Sequence, residues 1–263
     1  MGLLVESGSN RVTEQDLYNL VVPEPERRHY AIPHQFLVET IRNTFQGLFP
    51  SFELVDEQYA LGGYNRETGV PGQMFGVHTY DTGHPTFGLS VGFRNSYDSS
   101  FAAGVVGGCN PMREGILVCS NLCFSGDSFK LNRKNTENGK EDLYRMILDN
   151  AYAMLDDYRR MTADFDILEA IPINQNGGYE VLGDMFGEKM IKKNQLIVAF
   201  DAWNNPPQEE WEPRNALSLY NAVTEATKKT TPKDVVKDLE NTHQYFKKRF
   251  QLEATAGQLE EVC

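Results

Sequence analysis

The hydrophobic and polar positions of the chain follow two periods in turn. Residues 13–20 read as a short helix with Thr13 as its cap, and a linker holding Pro23 and Pro25 follows. Next, Phe36, Leu37, Ile41, Phe45 and Leu48 recur at helical spacing. Pro33 suits the first turn of that helix and Pro50 ends it. From there to about residue 134 the period becomes two. Segments 51–61, 73–81, 86–95, 101–108, 115–124 and 128–133 are short, rich in β-formers and bounded by turn residues. Phe87, Leu89, Val91 and Phe93 fall on one face, and Gly88, Ser90, Gly92 and Arg94 on the other. Small residues recur in the next segment at Ala102, Gly104 and Gly108. Such short connections predict an antiparallel meander of five to six strands. One face is packed with bulky side chains, and the other is bare enough for a helix or a ligand to approach the backbone.

The period then returns to that of a helix. Leu143, Ile147, Met154, Tyr158 and Met161 make one stripe over 140–162. Shorter helices are expected over 178–191, 194–203 and 214–228, with Pro206, Pro207 and Pro213 in the loop between. Pro232 opens a last helix carrying Val235, Leu239, Phe246 and Phe250, and residues 253–263 read as a frayed tail. The order predicts an α+β fold. A single domain is expected over 1–230, sheet over 30–135 and helical over 140–230. A C-terminal helix and tail follow over 231–263.

Composition narrows the class. The 263 residues, 40% hydrophobic and 11% aromatic, suffice for a core and argue against wholesale disorder. No run approaches the length of a membrane span. The first residues lack a basic segment and a long apolar run, and Ser7 falls one place too late after Gly2 for a myristoylation match. A soluble, cytoplasmic protein without a membrane partner is expected. The 37 acids outweigh 25 basic side chains, for a net charge of −12. Residues 1–129 hold seven arginines and no lysine, and every lysine lies from Lys130 onward. That balance argues against generic coating of duplex DNA but leaves room for a local basic groove, or for binding a basic surface on a partner.

Several candidate chemistries fail on pattern. No nucleophile elbow, zinc-protease helix motif, phosphate loop or dinucleotide fingerprint is present. The glycine-rich stretch Gly104–Gly108 lacks a phosphate-loop ending and reads better as a strand lying against something bulky. Cys119 and Cys123 have a spacing that could hold a metal, yet a structural zinc site asks for four ligands. Buried thiols in a reducing compartment suit them, Cys109 and Cys263 better. His78, Asp81 and His84 do not converge on a metal, because Asp81 points away from the face of His78 and Tyr80. No histidine pairs with a cysteine nucleophile. The chain is read as non-catalytic, without a cofactor or metal.

The densest polar constellation is Arg94-Asn95-Ser96-Tyr97-Asp98-Ser99-Ser100, between two small-faced strands. Arg94 could meet a phosphate and Tyr97 a base. Equally, Asp98 and the serines could bond their own backbone while Arg94 pairs with Asp98. Lys130, Arg133, Lys134 and Lys140 form a second basic group, read either as one side of a single-strand channel or as a solvated loop. Lys189, Lys192 and Lys193 form a third, near a helix end where cations complement the dipole.

Val91–Ser100, Ala102-Ala103-Gly104, Val118-Cys119-Ser120-Asn121-Leu122 and Leu219–Glu225 together resemble a domain-of-unknown-function family labelled phage/plasmid-like protein. The resemblance covers roughly residues 30–230, with Cys123 standing where the pattern has an apolar residue. It implies a phage or plasmid setting, in DNA metabolism or a contest with host defence, and assigns no residue a role. The order of meander and long helix is similar to the core of ring-forming single-strand annealing proteins, an analogy of fold alone. The expectation is an oligomeric protein that binds single-stranded DNA or RNA, to protect or anneal it, through Arg94, Tyr97, Lys130, Arg133 and Lys134. The alternative is an acidic interaction protein that blocks a basic site on a host defence protein.

Overall fold

The computed structural model describes residues 9–25, 29–65, 70–113, 116–117, 130–228, 230 and 235–252. The family-like stretch Val118–Leu122, the cysteines Cys119, Cys123 and Cys263, and the tail over 253–263 lie outside the described residues. Seven strands are described, β1 (Asn10–Val12), β2 (Glu53–Tyr64), β3 (Pro71–Asp81), β4 (Phe87–Ser96), β5 (Ala103–Arg113), β6 (Ile116–Leu117) and β7 (Lys130–Arg133). The helices are α1 (Glu14–Tyr18), α2 (His34–Leu48), α3 (Gly139–Ala170), α4 (Gln175–Gly187), α5 (Lys193–Asn204), α6 (Ala216–Thr227) and α7 (Val235–Phe250). This is the α+β order of an antiparallel sheet followed by a long helix and further helices. Strands β1 to β6 pair consecutively, every pair antiparallel, and β7 joins the sheet on β5. No helix among the described residues is long and apolar enough to cross a membrane.

Two compact units divide the chain, the boundary falling within α3 between Asp156 and Asp157. The first holds the sheet, α1, α2 and the start of α3. Its α1 begins with a reciprocal cap: the Thr13 hydroxyl accepts from the Asp16 N–H while the Asp16 carboxylate accepts from Thr13 N–H. The bulky sheet face is the core. Leu89, Val91 and Phe93 of β4 are buried there, and Tyr80 of β3 stacks on Phe45 of α2 at 5.3 Å. Each such fully buried side chain contributes about 2–3 kcal/mol of burial free energy.

A helix approaches closely on this same face. A Cβ on Gly107 of β5 would sit 3.0 Å from the Met154 Cβ of α3. Gly107 faces Val91 across the strands, so a glycine among bulky neighbours lets the helix in. Gly76 does the same for an aromatic ring, since a Cβ there would meet Phe93. On the opposite face Ser90 joins a buried polar ladder: the Asn110 amide donates to the Thr79 hydroxyl (3.1 Å), which lies 3.3 Å from that of Ser90. A Cβ on Gly88 would meet the Met112 sulfur.

The second unit is helical and centred on α6, which is buried along most of its length. Its Tyr220 packs against Phe165 of α3 and Phe246 of α7. Gly178 of α4 carries the Trp203 ring where a side chain would collide, and the Arg214 guanidinium covers that ring at 4.5 Å. The Tyr-Asn-Ala-Val-Thr stretch over 220–224 is therefore a core helix turn.

Candidate nucleic-acid interface

Strand pairing brings the two basic segments, far apart in sequence, onto one corner of the sheet. Arg94 of β4 lies opposite Gly104 of β5, and Gly104 lies opposite Asn132 of β7. On the same ladder Lys130 faces Val106, in phase with Gly104, whereas Arg133 faces Ala103 and so falls on the sheet face opposite Arg94. Arg94 and the Lys130–Lys134 edge are thus two strands apart, roughly 10 Å at ordinary strand spacing.

Arg94 is half-buried, with its guanidinium over the Phe101 ring at 5.1 Å. Burial lowers its pKa from the ordinary arginine value. Asp98, expected as its partner, turns elsewhere. Its carboxylate accepts from the Ser100 N–H (3.0 Å) and from the Gln73 amide (3.2 Å). The Ser96 hydroxyl donates to the Phe101 carbonyl (2.7 Å), closing the turn on itself. Ser99 adopts a left-handed backbone, φ 60°, within it.

Asn95 and Tyr97 face inward. The Asn95 amide donates to the Ile32 carbonyl (2.6 Å) and to His34 Nδ1 (3.0 Å). Its Oδ1 accepts from the Ser96 N–H (3.0 Å) and the Asn135 amide (3.3 Å), which also reaches the Ser96 carbonyl (2.8 Å). Tyr97, predicted to offer a face to a base, is buried and stacks on the His34 ring at 3.8 Å with an interplanar angle of 3°. Its hydroxyl accepts from the His34 backbone N–H (3.0 Å). Burial pulls the His34 pKa down to about 3, so the ring is neutral, with the proton on Nε2 because Nδ1 accepts from Asn95. The turn is bolted to the residues ahead of α2 and to the loop ahead of α3.

The second basic segment is partly engaged too. The Arg133 guanidinium donates through Nε (3.0 Å) and Nη2 (2.5 Å) to the Asp142 carboxylate at the start of α3. Lys134 is exposed, and the Lys140 ammonium lies 4.4 Å from the Phe36 ring centre. In the third group, Lys189 follows the end of α4, where a cation complements the dipole, but Lys192 is the N-cap of α5, the wrong end for that role. There the Lys192 N–H donates to Gln195 Oε1 (2.8 Å).

Two further ionisable groupings carry no motif in the sequence. In the sheet unit Arg42 of α2 donates to Glu14 (2.8 Å), Glu57 and the Tyr59 hydroxyl (3.2 Å). Tyr59 donates to Glu57 (2.7 Å) and lies 2.9 Å from His78 Nε2, while the Tyr80 hydroxyl is 3.4 Å from Nδ1. Tyr80 donating to Nδ1 and Nε2–H donating to Tyr59 satisfies both nitrogens. Burial again draws the pKa of this histidine down to about 3, against the pull of Glu57. Burial opposes ionisation of Glu57, but bonds from Tyr59 and Arg42 outweigh it and leave the carboxyl below its ordinary pKa. In the helical unit His243 Nε2 lies 3.1 Å from Asp164 Oδ2, both groups buried.

No group of three or more His, Cys, Asp or Glu side chains among the described residues is arranged to hold a metal ion. His84 instead accepts from the Phe87 N–H (3.2 Å), closing the β3–β4 turn. Compared with protein-family models, curated proteins and solved structures, the chain matches none.

Proposed function

We propose that this is a non-catalytic phage- or plasmid-type protein that binds single-stranded nucleic acid, protecting or annealing it, through the corner of β4, β5 and β7. The observation that supports this reading is the meeting of β4 and β7 across β5, which brings Arg94 and the Lys130–Lys134 edge to one corner of an otherwise acidic chain, with Arg133 on the face opposite Arg94. Guanidinium and ammonium groups there hold phosphates without reading sequence, while Tyr97 and Asn95 hold the turn in place. Each phosphate contact on a single strand contributes about −0.7 to the slope of log affinity against log salt. Two to four contacts therefore predict a loss of roughly 7- to 50-fold between 50 and 200 mM salt.

Fluorescence anisotropy of a labelled oligonucleotide across that salt range is the test, with K130E/R133E/K134E as the comparison. A sloped isotherm that the triple variant flattens supports the reading. An absence of binding at 50 mM salt sinks it. The pairing of Arg133 with Asp142 favours a second reading, an acidic interaction protein whose partner offers a basic surface. That reading expects no strand binding, and the same titration separates the two.

A further inference from the structure

We infer that a ridge on α3, Tyr144-Leu148-Tyr152, is a self-association surface that pairs antiparallel with a second copy of this chain. The inference goes beyond the nucleic-acid reading and does not rest on it. Tyr144, Leu148 and Tyr152 are 46%, 37% and 57% exposed, a concentration of large apolar side chains that a solvated helix face does not need. They recur every fourth residue and so line one ridge about 12 Å long. The inner side of the same helix stretch is filled by Leu143, Ile147, Ala151 and Met154. The edge of Tyr152 is seated on Phe49 at 5.2 Å, which fixes that ring as part of the ridge.

Charge decides the occupant. Arg145 and Asp149 are both exposed and flank the ridge on the same side, at 100° per residue. Arg145 has only a loose contact with Glu141, at 4.0 Å. Set two such helices antiparallel with Leu148 on the two-fold axis. Tyr144 of one copy then meets the second copy's Tyr152, and Leu148 meets itself. A two-fold axis across the helices keeps same-side residues together, so Arg145 falls within about 3 Å axially of the second copy's Asp149 and beside its Tyr152. The symmetry makes each contact twice. The ridge is complementary to itself in shape and in charge.

The three side chains offer on the order of 300 Å² per copy, well under the roughly 800 Å² per partner of a standard interface. A weak, concentration-dependent dimer in the micromolar range is therefore expected. Sedimentation velocity of the full chain from about 1 to 200 µM reads it directly. Wild type should shift from monomer toward dimer. L148E should weaken association at least tenfold with its far-UV circular dichroism unchanged. R145D and D149R should each weaken it several-fold, and R145D/D149R should restore it, because the swapped charges again face each other. A wild type that stays monomeric at 200 µM overturns the inference. So does association that persists unchanged in L148E, or a double swap weaker than either single change.

Discussion

Replacing Asn95 by alanine separates the two uses its turn can have, as a bolt in the fold or as a ligand loop. Asn95 is fully buried and makes four side-chain hydrogen bonds, to Ile32, His34, Ser96 and Asn135. Alanine leaves the Ile32 carbonyl and His34 Nδ1 without that donor, and each buried acceptor so stranded costs about 1–3 kcal/mol. A total of about 3–4 kcal/mol follows, large for one surface turn. With a urea slope near 2 kcal/mol/M, the sheet unit's midpoint should fall by about 1.5–2 M. Both tryptophans, Trp203 and Trp211, belong to the helical unit, so their fluorescence is the wrong probe. Hydrogen exchange of the β4 and β5 amides in urea reports the right region. Arg94→Ala is the contrast. It removes a half-exposed stack on Phe101, costs about 1 kcal/mol, and should lower strand binding instead. A loss below about 1 kcal/mol in the Asn95 variant would refute the bolt and return the turn to the surface.

Two further outcomes follow from the same geometry. His34 and His78 stay neutral in the fold down to about pH 3, whereas unfolded histidines protonate near 6.5. The unfolded chain thus binds more protons as pH falls, and the fold loses stability at a rate that approaches about 3 kcal/mol per pH unit well below 6.5 from the two together. Urea titrations at pH 6.5 and 5 should differ by about 3 kcal/mol in stability, and His78→Phe should halve that difference. Equal stability at the two pH values would contradict the buried neutral rings. Asp142→Asn frees Arg133 from its ion pair, at under about 1 kcal/mol because the pair is partly exposed. In the oligonucleotide titration it should raise affinity roughly three- to tenfold, by adding one released cation. Unchanged binding would remove Arg133 from the interface.

The strands were legible because glycine and polar turns punctuate the period-two runs, and β2 to β5 fall within a few residues of their expected bounds. β1 was missed since three residues, Asn10–Val12, hold too little pattern to register. α3 runs on past residue 162 because Phe165 and Leu168 continue its buried stripe. One close approach carries no run of small residues to announce it. Gly107 sits singly among bulky neighbours, where Met154 of α3 packs against it. The part-buried network around Arg42 was not legible at all, since Glu14, Arg42, Glu57 and His78 come from four elements with no common spacing.

The candidate site shows the same divide more sharply. That Arg94 to Ser100 forms a polar turn could be read locally, and Asp98 does bond to Ser100 as a self-contained turn would. Where Asn95 and Tyr97 point could not be read, because their partners Ile32, His34 and Asn135 lie dozens of residues away. That Arg94 and the Lys130–Arg133 strand share a corner, with Arg133 on the face opposite Arg94, likewise needed the β4–β5–β7 register. This placement constrains how a strand can be held. Arg94 already rests on Phe101 and Arg133 on Asp142, so phosphates must compete for at least one of the two cations. On the proposed reading, binding at this corner would be an exchange of partners and not a simple gain, which would hold affinity down and make it sensitive to a single carboxylate. On that reading, a strand would be held here only where the local exchange favours the phosphate, and Asp142 would set that balance for Arg133.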